Sequence, residues 1–441
     1  MLSITSYSLP FRVPGSQKDR QMLHYFCVQG SHDISGFTLS SFWSRNILRE
    51  SHKDHVVRQA LVALSSLHLD YTSTDGATDG ATMASTDTLN KYGNALRSLN
   101  KRLSKNPSQD TVRTALICSV LFYSFESGLG NSEAAMRHLN SGLKILPSYR
   151  GKSWDDDEDL ESLSTTFERL DLQATFFDDG RVPCLQLASK ERQGDVGDST
   201  RGRAFSGLED SQRTLVSLQN WLFRFLIENI HYKSLVEKDL PAHILQEKEI
   251  IMQKFSEWAR KFDDFRFWDE RSDQATCTCN AQTLLVQFYI SRMLLEASFP
   301  NNDNTFGASP NESAETILEL ADNILRRATE RDASDAALAT KNLRRSFSSE
   351  TGIVAPLFVL AMKCLDVSVR ERAVKLLRTS QRREGLYDAQ TMITIVDKLK
   401  VVKRQKQEMN EYDATATESA ALEFYIHENE TASKGMDSLV I

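Results

Sequence analysis

Helix-breaking residues are scarce in this sequence, whose 441 residues include only 9 prolines and 19 glycines. As fractions of the chain, both are well below the usual shares, which are roughly 5% for proline and 7% for glycine. Stretches in which Val, Ile or Thr alternate with polar residues, the pattern of half-buried strands, are also lacking. These absences predict a mostly helical protein.

Long hydrophobic runs are absent as well. The longest extends from Ala115 to Phe125 and is interrupted by polar residues, whereas a bilayer span needs roughly 17–25 apolar residues. It therefore predicts a core helix, and we expect no membrane partner. Residues Met1–Pro10 lack a basic segment followed by an apolar one, which argues against a secretory signal.

The six cysteines, at positions 27, 118, 184, 277, 279 and 364, do not resemble a disulfide framework. Their scatter favours a reducing cytosolic or nuclear compartment. Cys277-Thr-Cys279 is the only close pair, and a structural zinc site usually needs two such pairs. We interpret these cysteines as surface thiols of a polar loop, and we predict no metal or other cofactor in this chain.

Catalytic motifs are missing too. The sequence contains no G-x-S-x-G, no H-E-x-x-H, no phosphate-binding loop and no dinucleotide-binding glycine motif. His68 and His138 lie in helical patterns, and no motif supplies the positioned partner that a general base needs. We interpret both as core or interface histidines and predict that the chain is not an enzyme.

What the sequence does contain is an ordinary globular composition, with 40% apolar and 26% charged residues. This composition excludes disorder as the dominant state. The formal net charge is −7, and an acidic balance argues against a chain that coats nucleic acid by itself. Direct DNA binding by this chain is therefore not expected.

Apolar residues recur at three- and four-residue steps along most of the chain, which is typical of amphipathic helices. In the N-terminal part they predict helices over residues 54–70, 89–103, 112–126 and 136–146, with Pro147 ending the last one. Short loops between such helices indicate antiparallel neighbours. The predicted fold class is all-α, with stacked antiparallel helical hairpins that form one extended helical array.

Further helices are predicted in the C-terminal half. One begins at Asp210, and a second covers residues 250–262. A third begins at Ser309-Pro310-Asn311-Glu312, which has the pattern of a capping box with Ser309 as N-cap. Three shorter helices follow, over residues 356–365, 369–378 and 388–406. No pair of strands is predicted.

Polar stretches divide the chain into four predicted parts. Residues 1–150 form an N-terminal helical part, and residues 151–210 form an acidic and polar linker with a short helix around Leu170–Phe177. Residues 211–406 form a C-terminal helical part, and residues 407–441 a polar tail. The loops over 72–88 and 189–211 are long, so we expect them to be the moving parts.

A basic segment lies near the end of the last predicted helix. Its five positive charges are Lys398, Lys400, Lys403, Arg404 and Lys406. Such a cluster can serve as a nuclear localisation signal or contact phosphate. It can equally be the solvated face of a helix that packs through Ile395, Val396, Leu399 and Val402, and both interpretations stay open.

Several short strings occur in one order over nearly the whole chain. They are Phe11-Arg-Val-Pro-Gly, Tyr25-Phe26, Phe42-Trp43, residues 57–68, Tyr92-Gly-Asn-Ala-Leu96, Leu121-Phe122 with Glu126, residues 135–143, residues 356–364 and Arg382-Arg-Glu-Gly-Leu-Tyr387. In this order they resemble the regulatory region of fungal-specific transcription factors of the six-cysteine binuclear zinc cluster family. The resemblance implies an all-helical regulatory region, nuclear residence and control of transcription by RNA polymerase II.

The resemblance does not extend to the zinc cluster of that family. There, six cysteines spaced C-x2-C-x6-C twice over hold two zinc ions and place a short helix in the DNA major groove. No C-x2-C-x6-C occurs in this sequence, and Met1 lies almost directly at the regulatory region. No zinc-ligand or base-contacting residue is therefore carried over, and we expect zinc only if a cluster lies upstream.

We therefore expect a nuclear transcriptional regulator that controls a metabolic or secondary-metabolite gene set. Its expected partners are the transcription machinery or full-length members of the same family, together with a small effector. Two alternatives stay open. In the first, the chain is a truncated copy whose zinc cluster lies upstream. In the second, it is a helical protein-interaction scaffold.

Overall fold

The structure is a computed structural model that describes residues 14–37, 40–73, 84–105, 108–150, 158–178, 180–185, 204–269, 275–302, 304–335 and 345–408. Most of these residues are helical, so the predicted all-α class is confirmed. The helices of the first half are α1 (Gln17–Tyr25), α2 (Ser31–Ser35), α3 (Ile47–Lys53), α4 (His55–Ser73), α5 (Thr86–Leu103), α6 (Gln109–Leu129), α7 (Ser132–Arg150) and α8 (Glu158–Phe177). Short π-helical turns over Phe26–Gly30 and Phe42–Asn46 precede α2 and α3.

The second half contains eight further α-helices in its described ranges and three short strands. The helices are α9 (Leu208–Glu228), α10 (Ala242–Asp269), α11 (Ala275–Glu296), α12 (Asn304–Gly307), α13 (Glu312–Asp335), α14 (Val354–Lys363), α15 (Val367–Ser380) and α16 (Ala389–Glu408). The strands are β1 (Ser346–Ser348), β2 (Arg382–Glu384) and β3 (Tyr387–Asp388). β1 pairs with β2 in parallel, and β2 pairs with β3 antiparallel.

The predicted core helix is α6, which contains the longest apolar run and is buried from Thr114 to Gly128. Gly130 ends it in the left-handed conformation, with φ of 84°, which a residue with a Cβ adopts at a cost. The side chain of Asn131 then accepts the N–H of Ala134 and so caps the start of α7. This two-residue turn makes α6 and α7 a helical hairpin of the predicted kind.

Buried apolar side chains form three clusters. The first cluster contains the residues of α1–α8 together with Phe347 and Leu386 from the strand region. The second is built from α11, α13, α14, α15 and α16, and the third from α9, α10 and α11. Because α11 contributes to both the second and the third cluster, the C-terminal half is continuous around this helix.

The small sheet was not predicted, and it connects the two halves of the chain. Phe347 of β1 is fully buried in the first cluster, while Tyr387 of β3 lies in the second. The Ser349 N–H donates to the carbonyl of Ile34 over 2.8 Å, and the hydroxyls of Ser124 and Ser349 are 2.6 Å apart. Strands of two or three residues are too short to show alternation, which is why the sequence pattern missed them.

Two predicted element boundaries were wrong. α7 continues through Pro147 to Arg150, although a proline inside a helix removes one hydrogen bond and crowds the carbonyl four residues before it. α13 begins at Glu312 with Asn311 as its cap, because the Asn311 side chain accepts the Ala314 N–H. Ser309, the predicted cap, instead donates to Asp366 over 2.9 Å.

The short helix predicted around Leu170–Phe177 is longer in the structure, because α8 occupies Glu158–Phe177 and packs in the first cluster. The division into four parts stays a prediction. Residues 74–83 and 189–203 of the two long loops, and the tail from 409 onward, lie outside the described residues. Within the described ranges, no helix combines the length and the apolar character needed to cross a membrane.

Candidate functional site

A cleft opens between helices that contribute to all three clusters. It holds about 610 Å³ of empty space, counting the part that opens to solvent. Its walls come from α8, α9 and α11 and from the segment that leads into α14. The lining residues are Arg169, Leu172, Gln173, Phe176, Gln212, Val216, Gln219, Phe223, Gln287, Ile290, Ser291, Glu350, Thr351, Ala355 and Pro356.

Helical spacing explains why these residues share one cavity. In α8 the lining positions are 169, 172, 173 and 176, in α9 they are 212, 216, 219 and 223, and in α11 they are 287, 290 and 291. Steps of three and four residues place side chains on one face of a helix. Each of the three helices therefore turns one face to the cleft, and each of these faces carries glutamine.

A buried ion pair forms one end of the cleft. The Arg169 guanidinium donates from Nε to Glu350 Oε2 over 2.6 Å and from Nη2 to Glu350 Oε1 over 3.0 Å. The two side chains are only 8% and 3% exposed. Arg169 Nη2 also reaches the hydroxyls of Ser40 and Thr166, and the Trp43 indole donates to Glu350 over 3.3 Å. Because both charges are compensated and hydrogen-bonded, the pair is a fixed part of the cleft wall.

Two polar atoms of the cleft wall have no hydrogen-bond partner among the described residues: Gln173 Oε1 and Thr351 Oγ1. Gln173 is 3% exposed, and its Nε2 is held by the carbonyl of Glu384 at 3.1 Å. The carbonyl of Thr351 accepts Gln287 Nε2 over 3.0 Å. Buried polar atoms are nearly always paired, so these two are exceptions. Both are almost fully enclosed by the surrounding side chains, and they therefore belong to the packing behind the cleft wall.

Much of the remaining lining of the cleft is apolar and aromatic. The rings of Phe176 and Phe223 meet edge to face with centroids 5.2 Å apart. Leu172, Val216 and Ile290 add aliphatic surface. An apolar cavity with a few convergent polar groups is the usual character of a small-molecule site.

The sequence did not reveal this cleft. The sequence feature that could have indicated the cleft is a set of glutamines on helix faces that otherwise point to the core. These glutamines are at positions 173, 212, 219 and 287. Periodicity alone cannot separate such residues from the polar edge of an amphipathic helix. Only the packing of α8, α9 and α11 against one another brings them together.

The predicted basic segment lies at the end of α16. Lys398 and Lys400 are exposed, and Lys400 Nζ lies 3.9 Å from an oxygen of Asp397. Ile395, Val396 and Leu399 of the same helix are buried in the second cluster. Lys403, Arg404 and Lys406 belong to α16, but their side chains lie outside the described residues. The role of the segment in nuclear localisation stays a prediction.

The two histidines singled out by the sequence lie in the first half of the chain, away from the cleft lining. His68 is fully buried, and its Nδ1 lies 2.7 Å from the Tyr25 hydroxyl. His138 Nε2 lies 3.0 Å from the hydroxyl of Tyr92, which donates to Glu126 over 2.6 Å. Burial, helped by the nearby Arg137 charge, lowers the pKa of His138 to about 4. His68 is therefore a core histidine, whereas His138 is half-buried at the edge of the first cluster.

The cysteines do not form a metal site in the described part of the chain. There, no three His, Cys, Asp or Glu side chains come together in a way that could hold a metal ion. Cys277 and Cys279 belong to α11 rather than to a loop, and Cys279 is buried. The interpretation as surface thiols was therefore wrong for Cys279. The residues present do not fit the zinc cluster that the family resemblance implies.

A family described as "Fungal specific transcription factor domain" matches residues 21–399. No solved structure matches the chain.

Two curated relatives are transcription regulators. The chain is 22% identical to the aspercryptin biosynthesis cluster-specific transcription regulator atnN of Emericella nidulans, in an alignment covering 85% of this chain and 71% of the relative. It is 32% identical over 120 residues to the transcription regulator lscL of Purpureocillium lilacinum, covering 26% of this chain and 28% of that one. The chain belongs to the family of fungal-specific transcription factor domains, and it is a transcriptional regulator.

Proposed function

We propose that this regulator acts in the nucleus on a metabolic or secondary-metabolite gene set, and that a small effector bound in the cleft controls it. The cleft carries the effector proposal, because the helices that line it contribute between them to all three clusters. A ligand there would contact α8, α9 and α11 at once, and it could favour one arrangement of these helices over another. The printed name of the Emericella nidulans relative refers to a biosynthesis cluster, which supports the proposed class of target genes.

The proposed partners are the transcription machinery and other members of the family, reached without any catalysis by this chain. A reporter assay tests the regulatory role directly. The full chain is fused to an unrelated DNA-binding domain, and transcription is measured from a promoter with the matching sites. We expect a change of at least severalfold relative to the DNA-binding domain alone. A fusion that is expressed and folded but leaves transcription unchanged would contradict the proposal.

The target genes call for a separate experiment in the source organism. We expect deletion of the gene to change transcripts from neighbouring metabolic genes as a group, and reintroduction of the full chain to restore them. Transcript profiles of the deletion strain and of the complemented strain provide the measurement. A deletion strain whose metabolic transcripts are all unchanged would count against this class of target.

Nuclear import is proposed to depend on the basic end of α16. Replacing Lys403, Arg404 and Lys406 by alanine in a fluorescent fusion is expected to reduce nuclear accumulation. The matched control replaces the exposed Lys233 and Lys238, which lie far from this helix in the sequence. Equal nuclear signal for both variants would show that another segment directs import.

A further inference from the structure

We propose that Ser104, at the C-terminal end of α5, is a phosphorylation site for a serine kinase that recognises basic residues before its target. The proposal is independent of the cleft, whose lining does not include this helix. It rests on the charges that precede Ser104, on the exposure of the last turn of α5 and on the contacts that this turn makes.

Three stretches of the sequence have two adjacent basic residues shortly before a serine or threonine. They are Lys101-Arg-Leu-Ser104, Arg326-Arg-Ala-Thr329 and Arg344-Arg-Ser-Phe-Ser348. Kinases with an acidic substrate groove select such targets by charge complementarity. The three stretches are alike in sequence, and they differ in how the structure presents their hydroxyl groups.

Ser348 is the least available of the three. It lies in β1 and is only 2% exposed. Its hydroxyl donates to the Glu350 carbonyl over 3.1 Å, and its carbonyl accepts the Gly385 N–H over 2.7 Å. A kinase holds its target as an extended segment and surrounds the hydroxyl, so it could reach Ser348 only after the sheet had come apart.

Thr329 is exposed but lies inside a helix, because α13 continues beyond it to Asp335. Its hydroxyl donates to the Leu325 carbonyl over 2.9 Å. Extending the chain around Thr329 would break helical hydrogen bonds on both sides of it. Helix interiors open far less readily than helix ends.

Ser104 differs from both because α5 ends at Leu103. Ser104 and Lys105 are exposed, and so is Lys101, while the Leu103 side chain is 43% exposed. Only the last turn of α5 has to open for residues 101–105 to become extended, and the ends of helices fray readily. Ser104 is therefore the target that the structure offers to a kinase.

The reaction transfers the terminal phosphate of ATP. The Ser104 hydroxyl oxygen forms a bond to the γ-phosphorus, the bond from this phosphorus to the oxygen shared with ADP breaks, and the serine proton passes to a carboxylate of the kinase. The product carries a charge of about −1.5 to −2 at pH 7.

The phosphate changes the end of α5 in two ways. In the unmodified chain the Ser104 hydroxyl donates to the Asn100 carbonyl over 2.9 Å, and the modification removes this donor. It also adds negative charge at the C-terminal end of a helix, which is already the negative end of the helix dipole. Both changes loosen the last turn.

That turn contains Arg102, which connects α5 to two other helices. The Arg102 guanidinium donates to Asp54, and the two side chains are 31% and 12% exposed. Asp54 also accepts the Val56 N–H at the start of α4 over 2.7 Å and the Thr114 hydroxyl of α6 over 2.6 Å. A loosened turn draws Arg102 away from Asp54, so a modification at the surface reaches the junction of α4, α5 and α6.

The first test treats the full chain with ATP and the catalytic subunit of cyclic-AMP-dependent protein kinase, which prefers two basic residues before its serine. Incorporated phosphate is measured against time, and mass spectrometry locates it. We expect Ser104→Ala to lower the initial rate about tenfold, and the matched control Thr329→Ala to leave it within about twofold. Undiminished labelling of Ser104→Ala, or phosphate located mainly at another residue, would overturn the proposal.

A second variant, Lys101→Gln, tests the recognition of charge. It keeps both Ser104 and the pair of Arg102 with Asp54, and it removes one of the two adjacent charges. We expect a severalfold lower rate of labelling and an unchanged thermal midpoint. A rate equal to that of the wild type would show that the basic residues do not direct the kinase.

Hydrogen exchange tests the effect of the phosphate. We expect the phosphorylated chain to exchange the amides of Leu103, Val56 and Val57 faster than the unmodified chain, whereas the amides of α13 exchange as before. Ser104→Ala after the same kinase treatment serves as control and should match the untreated protein. Unchanged exchange at the end of α5 and at the start of α4 would refute the assigned role of Arg102 and Asp54.

Discussion

At the scale of single residues, Gly385 shows how the sheet reaches the cleft. It lies in the turn between β2 and β3 with φ of +54°, and its N–H donates to the Ser348 carbonyl over 2.7 Å. A Cβ at this position would overlap the side-chain amide of Gln173. Both the backbone conformation and the close approach therefore require glycine.

We expect Gly385→Ala to lower the free energy of unfolding by about 1–3 kcal/mol, from left-handed strain and displacement of Gln173. Urea denaturation measures the loss. The control is Gly93→Ala in α5, where a Cβ would meet nothing within 4 Å, and alanine in a helix should stabilise by roughly 0.5–1 kcal/mol. Similar losses in both variants would contradict this account of Gly385.

His138 provides a prediction on pH. Its pKa is lowered to about 4 from 6.5, so the unfolded chain takes up the proton first as the pH falls. The contribution of uncharged His138 to the free energy of unfolding is therefore fully present above pH 6.5, and it is lost as the pH approaches 4. It amounts to about 3 kcal/mol at most. Burial raises the pKa of the neighbouring Glu126, which acts in the opposite direction because this carboxyl gains its proton more readily in the folded state.

Replacing His138 by glutamine should therefore make stability less sensitive to acid. Urea denaturation at pH 7 and at pH 4.5 gives the comparison, and the wild type should lose more than His138→Gln does. His243 is exposed, so His243→Gln serves as control and should behave as the wild type. An acid sensitivity that is the same in all three proteins would rule out His138 as its source.

At the scale of elements, periodicity predicted the helices well because most of them are amphipathic. α4, α6 and α16 all overlap their predicted ranges. Tertiary contacts determined the rest. Nothing local in Ser346–Ser348 or Arg382–Glu384 indicates a strand. Each strand depends on pairing with the other, in which Phe347 and Ser348 lie opposite residues 383 and 384. The cleft likewise depends on three helices that are distant in sequence.

The ion pair between Arg169 and Glu350 is the strongest polar contact between α8 and the segment before α14. We expect Glu350→Gln to lower the free energy of unfolding by about 3–5 kcal/mol, because it leaves the Arg169 charge buried without a counter-charge. The exposed pair of Arg137 and Glu133 offers the control, and Glu133→Gln should cost about 0–1 kcal/mol. Denaturant titration gives both values. A small loss for Glu350→Gln would mean that water reaches the pair.

A double variant separates lost attraction from the burial of a lone charge. Arg169→Met combined with Glu350→Leu removes both charges and keeps most of the volume. Since apolar replacements of a buried pair are often neutral, the double variant should recover much of the stability lost by Glu350→Gln. If the double variant is no more stable than Glu350→Gln, the hydrogen bonds to Ser40, Thr166 and Trp43 matter more than the pair itself.

At the scale of the whole molecule, Phe347 connects the two halves. It lies in the C-terminal half of the sequence, between α13 and α14 of the second cluster, yet its ring is buried in the first cluster. Its ring centroid lies 5.9 Å from that of Tyr71 and 6.2 Å from that of His68, both in α4. Unfolding of the N-terminal helices therefore exposes a residue of the sheet, and the sheet in turn contacts the second cluster through Tyr387.

We expect this connection to make unfolding cooperative, and Phe347→Ala to weaken it. The substitution should cost about 3–5 kcal/mol and split the calorimetric transition, with the N-terminal helices unfolding at the lower temperature. Phe255→Ala removes an equally buried ring from α10 in the third cluster, far from the sheet. It should cost a similar amount and leave the transition as it is in the wild type. A single sharp transition for Phe347→Ala would mean that other contacts, such as the Arg169–Glu350 pair, couple the two halves without the ring. The same split for Phe255→Ala would mean that any core defect divides the molecule, so that the sheet has no special part in joining it.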